Sequence, residues 1–183
     1  MSALPEIVLH TDRLILRLPR AEDHEHLAAF IGDPQTAEFV GGLQPPHMAW
    51  RSLMAMIGSW ASGGVAMFSV IEKSSGEWVG RVGPWSPWGW PGDEIGWGIR
   101  RASWGLGYAW EAAAACMDFA VDELGWQEII HSIDANNHKS RRVAEKLGSR
   151  FLREDRLPAP FDAKPIDIWG QSAADWKARR RAD

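Results

Sequence analysis

The chain has 183 residues, a length that points to a single domain spanning 1–183. Its 45% hydrophobic and 24% charged residues are those of a soluble globular protein with enough apolar side chains for one core. A net charge of −4 gives no bulk attraction to nucleic acid, and no apolar run reaches membrane-spanning length. Cys116 is the only cysteine, which excludes an internal disulfide and fits a reducing compartment. The opening MSALPEIVLHTDRL lacks a basic segment followed by an apolar one, so a cytoplasmic protein is expected.

In chain order, RLILR (Arg13 to Arg17) alternates as a first strand. Ala21 to Ile31 reads as an amphipathic helix with Leu27, Phe30 and Ile31 on its apolar face, and Asp33-Pro34 restarts a short helical piece towards Val40. Gly41-Gly42 and Pro45-Pro46 mark a loop. Met48 to Trp60 repeats apolar residues at helical spacing and is ended by Gly63-Gly64. Val65 to Glu72 and Trp78 to Val82 are strands about a turn at Ser74 to Gly76. PWSPWGWPG (Pro84 to Gly92) is a loop by its Pro and Gly content and, with its tryptophans, a candidate substrate wall; packing alone is the other reading. Glu94 to Arg100 is a strand, Leu106 to Leu124 a helix, Glu128 to Ile133 a strand, and Lys139 to Leu147 a helix stopped by Gly148. Arg150 to Glu154 and Ile166 to Trp169 close the fold, followed by a short basic helix or frayed tail from about Ala173.

The segment DEIGWGIRRASWGLGYA (Asp93 to Ala109) joins a strand to a helix through glycines at 105 and 107. The first-turn N–H groups of a helix lack internal partners and the helix dipole favours negative charge there, so a glycine-opened start suits a phosphate. Close packing or a tight turn explains the same glycines equally well. A dinucleotide fold is excluded, because hairpin-linked strands precede the glycines and no third glycine follows Gly107 at the required spacing. A second constellation, Asn137 and Ser140 three apart at a helix start with Gly148 at its end, reads as helix capping or as a ligand contact.

With TDRLILR, EIGWGIRRASWGLGYAWEA and NNHKSRRVAEKLG together, the chain resembles the GNAT superfamily of acyl-CoA-dependent N-acyltransferases, most of all the branch of ribosomal-protein N-terminal acetyltransferases of the RimJ/RimL type. The family motif (Gln/Arg)-x-x-Gly-x-(Gly/Ala) falls on Ala102-Ser-Trp-Gly105-Leu-Gly107, with Ala102 where the family prefers Gln or Arg. Asn137, Ser140 and Gly148 match its second motif, although Ser149 stands where an aromatic residue is usual. The resemblance implies an α/β (α+β) fold: a mixed, mostly antiparallel sheet of about seven strands, flanked by helices and splayed at the cofactor site. It implies acetyl-CoA as co-substrate, no metal, and an amine acceptor that is a protein N-terminus or a small molecule; a homodimer is common in the family.

The resemblance also assigns roles. N–H groups of roughly Ser103, Trp104, Gly105, Leu106, Gly107 and Tyr108 would hold the pyrophosphate. The backbone of Trp97, Gly98 and Ile99 would hydrogen-bond the pantetheine arm as an added strand, with Gly96 and Gly98 small enough to let it approach. Asn137 would bind pantetheine or the strand splay near it, and Arg100, Arg101 or Lys139 would meet the phosphates, unless these three form only a solvated basic surface. The family's tyrosine acid, seven residues after the Asn, is replaced by Ala144, so Ser140 becomes the candidate proton donor to the departing thiolate. Glu94, at the start of the cofactor strand, is the candidate base, a surface glutamate at a strand end being the equal alternative; His131 and His138 are further options, and Asp93, which belongs to the turn, ranks below Glu94. The expected activity is transfer of an acetyl group to a primary amine by direct attack. The rival of a different class is a GNAT-like domain that binds acyl-CoA without turnover, as a sensor or interaction module.

Overall fold

The computed structural model of the chain describes residues 6–181. Its elements in order are β1 (Val8–His10), β2 (Leu14–Arg17), a 3-10 turn (Ala21–Asp23), α1 (His24–Gly32), α2 (Pro34–Ala37), α3 (Pro46–Ala61), β3 (Phe68–Glu72), β4 (Trp78–Trp85), β5 (Glu94–Ile99), a second 3-10 turn (Arg101–Ser103), α4 (Tyr108–Asp122), β6 (Glu128–Ile133), α5 (His138–Leu147), β7 (Arg150–Asp155), β8 (Ile166–Ser172) and α6 (Ala173–Arg180). All eight strands form one sheet in the order β1-β2-β3-β4-β5-β6-β8-β7. Every neighbouring pair is antiparallel except β5 and β6, which α4 connects as a crossover.

The sheet has one strand more than expected, because β1 is a three-residue edge strand paired from Val8↔Arg17 to His10↔Ile15, too short for alternation to announce it. β4 runs on to Trp85, so Pro84 and Trp85 belong to a strand rather than to the loop. α4 starts at Tyr108 rather than Leu106, since Gly107 takes a left-handed conformation (φ 82°) that ends the approach to the helix.

Burial follows the sequence pattern. Leu14 and Leu16 alternate inward on β2, while Leu27, Phe30 and Ile31 form the buried stripe of α1. α4 is made of small and soft residues on its packed side (Ala112, Ala113, Cys116, Met117, Ala120), which lets it lie close on β4 and β5. Cys116 is part of that core, and burial pushes its thiol well above the ordinary range. A buried carboxylate ties the first helix to the sheet. Asp23 accepts from both guanidinium nitrogens of Arg17 (2.8 and 2.7 Å), from Ser69 Oγ (2.7 Å) and from the Arg20 N–H (2.9 Å). Burial opposes its ionisation, but these donors together hold its pKa below the ordinary value.

Candidate active site

β5 is paired differently on its two edges. Toward β4 the register runs unbroken from Glu94↔Trp85 to Ile99↔Gly80. Toward β6 it holds at Glu94↔Ile130 alone, where the Ile130 N–H donates to Asp93 O at 2.9 Å. One residue further along β6 the His131 imidazole takes the place of a ladder bond. Its Nδ1 lies 2.7 Å from Ile95 O, and its Nε2 lies 3.0 Å from Ser149 Oγ. Burial pulls the His131 pKa down to about 4, only partly offset by the Ile95 carbonyl, so the ring is neutral near pH 7. A neutral ring donates from Nδ1 to the carbonyl and accepts at Nε2 from the Ser149 hydroxyl. Gln171 Nε2 completes the chain by donating to Ser149 Oγ at 2.9 Å. The serine that stands in place of an aromatic residue after Gly148 therefore holds this histidine.

Beyond His131 the two strands part. Backbone polar groups of alternate residues in a strand share an edge, so Trp97 and Ile99 turn theirs to the cleft, as Ile95 does. The Ile99 carbonyl is taken by Trp104 Nε1 at 2.7 Å, which leaves the Trp97 N–H and C=O and the Ile99 N–H on the open edge. Gly96 and Gly98 serve a purpose the sequence did not suggest. A Cβ on Gly98 would meet Phe30 Cζ at 2.6 Å and one on Gly96 would meet Met67 Cε at 2.5 Å. Their missing side chains make room for this chain's own core.

The turn between β5 and α4 is clamped from below. Glu111, in the first turn of α4, accepts from Thr11 Oγ1 (2.6 Å), the Arg13 N–H (2.9 Å) and Arg13 Nε (2.7 Å). The Tyr108 hydroxyl, buried, donates to Glu72, so this side chain faces β3 rather than the turn. Ser103 and Trp104 spend their N–H groups on Arg100 O and Arg101 O (2.9 and 3.1 Å). From Gly105 (φ 79°) through Trp110, no N–H donates to another group among the described residues, and no side chain caps α4. The uncommitted donors thus begin at Gly105. Around them, Arg100 is ion-paired with Glu77 and donates from Nε to Ser103 Oγ (3.0 Å), Arg101 pairs with Asp33 (3.3 Å), and Lys139 Nζ sits 3.8 Å over the Trp104 ring.

Across the cleft, Asn137 caps α5, its Oδ1 accepting from the Ser140 N–H at 3.1 Å. Ser140 Oγ accepts from Trp97 Nε1 at 3.2 Å, so the serine hydroxyl is held against β5 with its proton free for another partner. Glu94 is buried at the other end of β5 and accepts from Trp90 Nε1 (2.6 Å) and Ser132 Oγ (2.7 Å). Desolvation raises its pKa against the opposing pull of those bonds. Glu94, Trp97, His131, Asn137 and Ser140 all line one cavity of about 390 Å³. Trp85 and Trp90, packed edge to face, belong to its wall, whereas Trp88 of the same loop is fully exposed. Arg81 also lines the cavity, from β4; its mark in the sequence is a lone charge within the apolar strand WVGRVGPW, which periodicity alone does not tie to a site.

Residues 13–150 match the acetyltransferase (GNAT) domain family. The chain is 31% identical to protein YkkB of Bacillus subtilis strain 168, over 85% of this chain and 91% of that one. It is 28% identical to the N-acetyltransferase p20 of Bacillus licheniformis over 88% and 92%. Among solved structures, an acetyltransferase from Agrobacterium tumefaciens strain C58 superposes with a TM-score of 0.78 at 26% identity, covering 93% of this chain and 97% of that one. The ribosomal-protein-S5-alanine acetyltransferase of Vibrio fischeri, at 15% identity and a TM-score of 0.72 over 93% and 99%, shares the fold.

Proposed function

The chain belongs to the GNAT acetyltransferase family, and from that membership we propose that it carries the acetyl group of acetyl-CoA to a primary amine by direct attack. The observation that carries this reading is the half-paired β5. Its open edge leads into a rigidly held turn of uncommitted N–H groups at one end and to a buried carboxylate at the other. In this reading the Trp97 and Ile99 backbone takes the pantetheine arm and the N–H groups from Gly105 to Tyr108 take the pyrophosphate. Lys139, over the Trp104 ring, adds positive charge beside this turn, whereas Arg100 is committed to Glu77 and Ser103 and Arg101 is paired with Asp33. Asn137 orients Ser140 by capping α5.

Acetyl-CoA, once bound, supplies an acyl thioester. An N–H on the open edge of β5 polarises its carbonyl. Glu94 removes a proton from the acceptor amine, either directly or through a water, and its raised pKa makes it a stronger base than a surface carboxylate. The Ser140 hydroxyl, held by Trp97 Nε1, hydrogen-bonds the departing sulfur. The Ala144 side chain where many family members carry a tyrosine is buried, so the site draws on no phenol at that position. A cavity of about 390 Å³ beside the open edge of β5 gives room for the amine end of an acceptor, a small molecule or a protein N-terminus. A cytoplasmic setting, where acetyl-CoA is supplied, suits this chemistry; no helix of the described residues is long and apolar enough to cross a membrane.

Calorimetric titration with acetyl-CoA, followed by free-thiol release over a panel of primary amines, tests the proposal. Saturable binding and amine-dependent thiol release are expected. Binding without turnover on any amine would make the protein an acyl-CoA-binding module, and absence of binding would remove the cofactor site altogether.

A further inference from the structure

We propose that Arg81 binds a carboxylate on the acceptor, so that the acceptor is a small amine with an apolar body and an anionic group at the end remote from its nucleophile. The inference rests on the acetyl-transfer reading above and names the class of acceptor that reading leaves open.

Arg81 is the one charge on β4 and is half-buried. Its register partner is Gly98, and partners across an antiparallel pair share a face. Gly98 in turn shares its face with Gly96 and Glu94 by strand alternation. Arg81 and Glu94 therefore rise from the same face of the sheet, four residues apart along β5, or about 13 Å at the rise of a strand. Both line the same cavity. The Gly96 and Gly98 positions between them carry no side chain, and Met67 and Phe30 pack over them, so the floor between the two charged groups is apolar.

The guanidinium has no carboxylate of its own. Among the described residues Arg13, Arg17, Arg100, Arg101, Arg150, Arg153 and Arg180 are ion-paired, and Arg81 has neither an ion pair nor a hydrogen bond. The nearby carboxylate, Asp23, is committed to Arg17, Ser69 and the Arg20 N–H. What Arg81 does contact is an apolar surface: its guanidinium carbon lies 5.7 Å from the Phe30 ring centroid. Desolvation pulls its pKa down to about 10, which still leaves it charged near neutral pH. A partly desolvated cation without a partner is costly, and its planar fork fits a carboxylate with two parallel hydrogen bonds. At the Glu94 end, its register partner Trp85 and its hydrogen-bond donor Trp90 supply aromatic wall, and Met56, Met67 and Phe161 add apolar lining to the same cavity. A cavity with a proton acceptor at one end, a cation at the other and an apolar lining is complementary to an amine and an anion joined by an apolar spacer.

The test uses a matched pair: 4-(aminomethyl)benzoate and its neutral carboxamide as acceptors, with their N-acetylated forms as product ligands. In thiol release the wild-type protein should show a KM for the benzoate about 10- to 10²-fold below that for the carboxamide, the range for hydrogen bonds to a charged group. Calorimetry with the acetylated pair should show the same preference without turnover. Arg81→Met should level both ratios to within about twofold, and Arg81→Lys should retain part of the preference because it keeps the charge but loses the fork. Acetyl-CoA titration on each variant reports whether the site is folded. Equal affinity for the pair, no binding of either acetylated compound, or a preference that survives in Arg81→Met overturns the proposal. Failure of acetyl-CoA to bind, or of any amine to release thiol, strikes instead at the acetyl-transfer reading.

Discussion

α4 and α5 begin on opposite sides of one cleft and begin differently. α5 is closed by its own chemistry: Asn137 accepts the Ser140 N–H, and Gly148 ends the helix in a left-handed turn. α4 has no cap, and its approach through Gly105 and Gly107 leaves a run of donors unspent. The uncapped start is nonetheless the more firmly anchored of the two, through Glu111 to Thr11 and Arg13 and through Tyr108 to Glu72. An unsatisfied helix start would ordinarily fray or take water. Held rigid with its donors pointing out, it is prepared for an anion that arrives from outside, whereas the capped start has already used the corresponding donor on itself.

The largest effect is expected where the open start is blocked. Gly107→Glu adds a carboxylate at the turn, from a Cβ that would stand 3.4 Å from Arg13 Nη2, and like charge beside a pyrophosphate should lower acetyl-CoA affinity by at least about 10²-fold in calorimetry. The left-handed φ adds strain of about 1 kcal/mol, so Gly107→Asn, which tolerates that conformation, is the control; it should keep most of the affinity. Loss of binding in both variants would mean the turn is merely structural.

Next comes Glu94→Gln, which should cut turnover by about 10²-fold or more with acetyl-CoA affinity little changed. In the parent, the rate should fall as pH drops through the Glu94 pKa, at a higher pH than an ordinary glutamate would give, because burial favours its protonated form. That acid limb should vanish in the glutamine variant. The same raised pKa means that ionising Glu94 costs folded-state stability as pH rises through it, so Glu94→Gln should be at least as stable as the parent at pH 8. A retained acid limb would assign the base elsewhere.

Ser140→Ala should lower kcat by about tenfold, less than the loss of a full general acid because the hydroxyl only hydrogen-bonds the sulfur, and leave the KM for acetyl-CoA within about twofold. An unchanged kcat would reduce the capped helix to scaffold. The smallest effect belongs to the cap itself. Asn137→Ala should cost about 1 kcal/mol, a Tm decrease of about 3 °C by calorimetry for a chain of this length. A drop in acetyl-CoA affinity much larger than that loss would show that Asn137 also touches the ligand, erasing the contrast between the two helix starts.

Much of this was legible in the residues. The apolar spacing of α1 and α3, the alternation in β2 and the glycine-bounded β5–α4 junction are local patterns, and each lands within two or three residues of the observed element. Glu94 and Ser140 were singled out by position, and the fold brings both to one cavity. What was illegible is what depends on a partner distant in sequence. β1 exists because β2 offers it an edge. Gly96 and Gly98 are glycine because Phe30 and Met67 press on the face where a Cβ would stand. The turn donors start at Gly105, two residues later than the motif suggested, because a 3-10 turn has consumed those before.

By itself the sequence determined the helices and all strands but β1, the glycine-opened helix and the family, since periodicity, caps and motifs are properties of neighbouring residues. The tertiary structure alone decided where the sheet opens. At the point of parting stands a single side chain: His131, kept neutral by burial and held by Ser149, which Gln171 holds in turn, meets the Ile95 carbonyl where a backbone donor would stand, and beyond it β5 faces the cleft. It also decided that Arg81 should lie on the face of Glu94 without a carboxylate of its own. Register and the prior commitment of Asp23 settle that, and neither can be read along the chain.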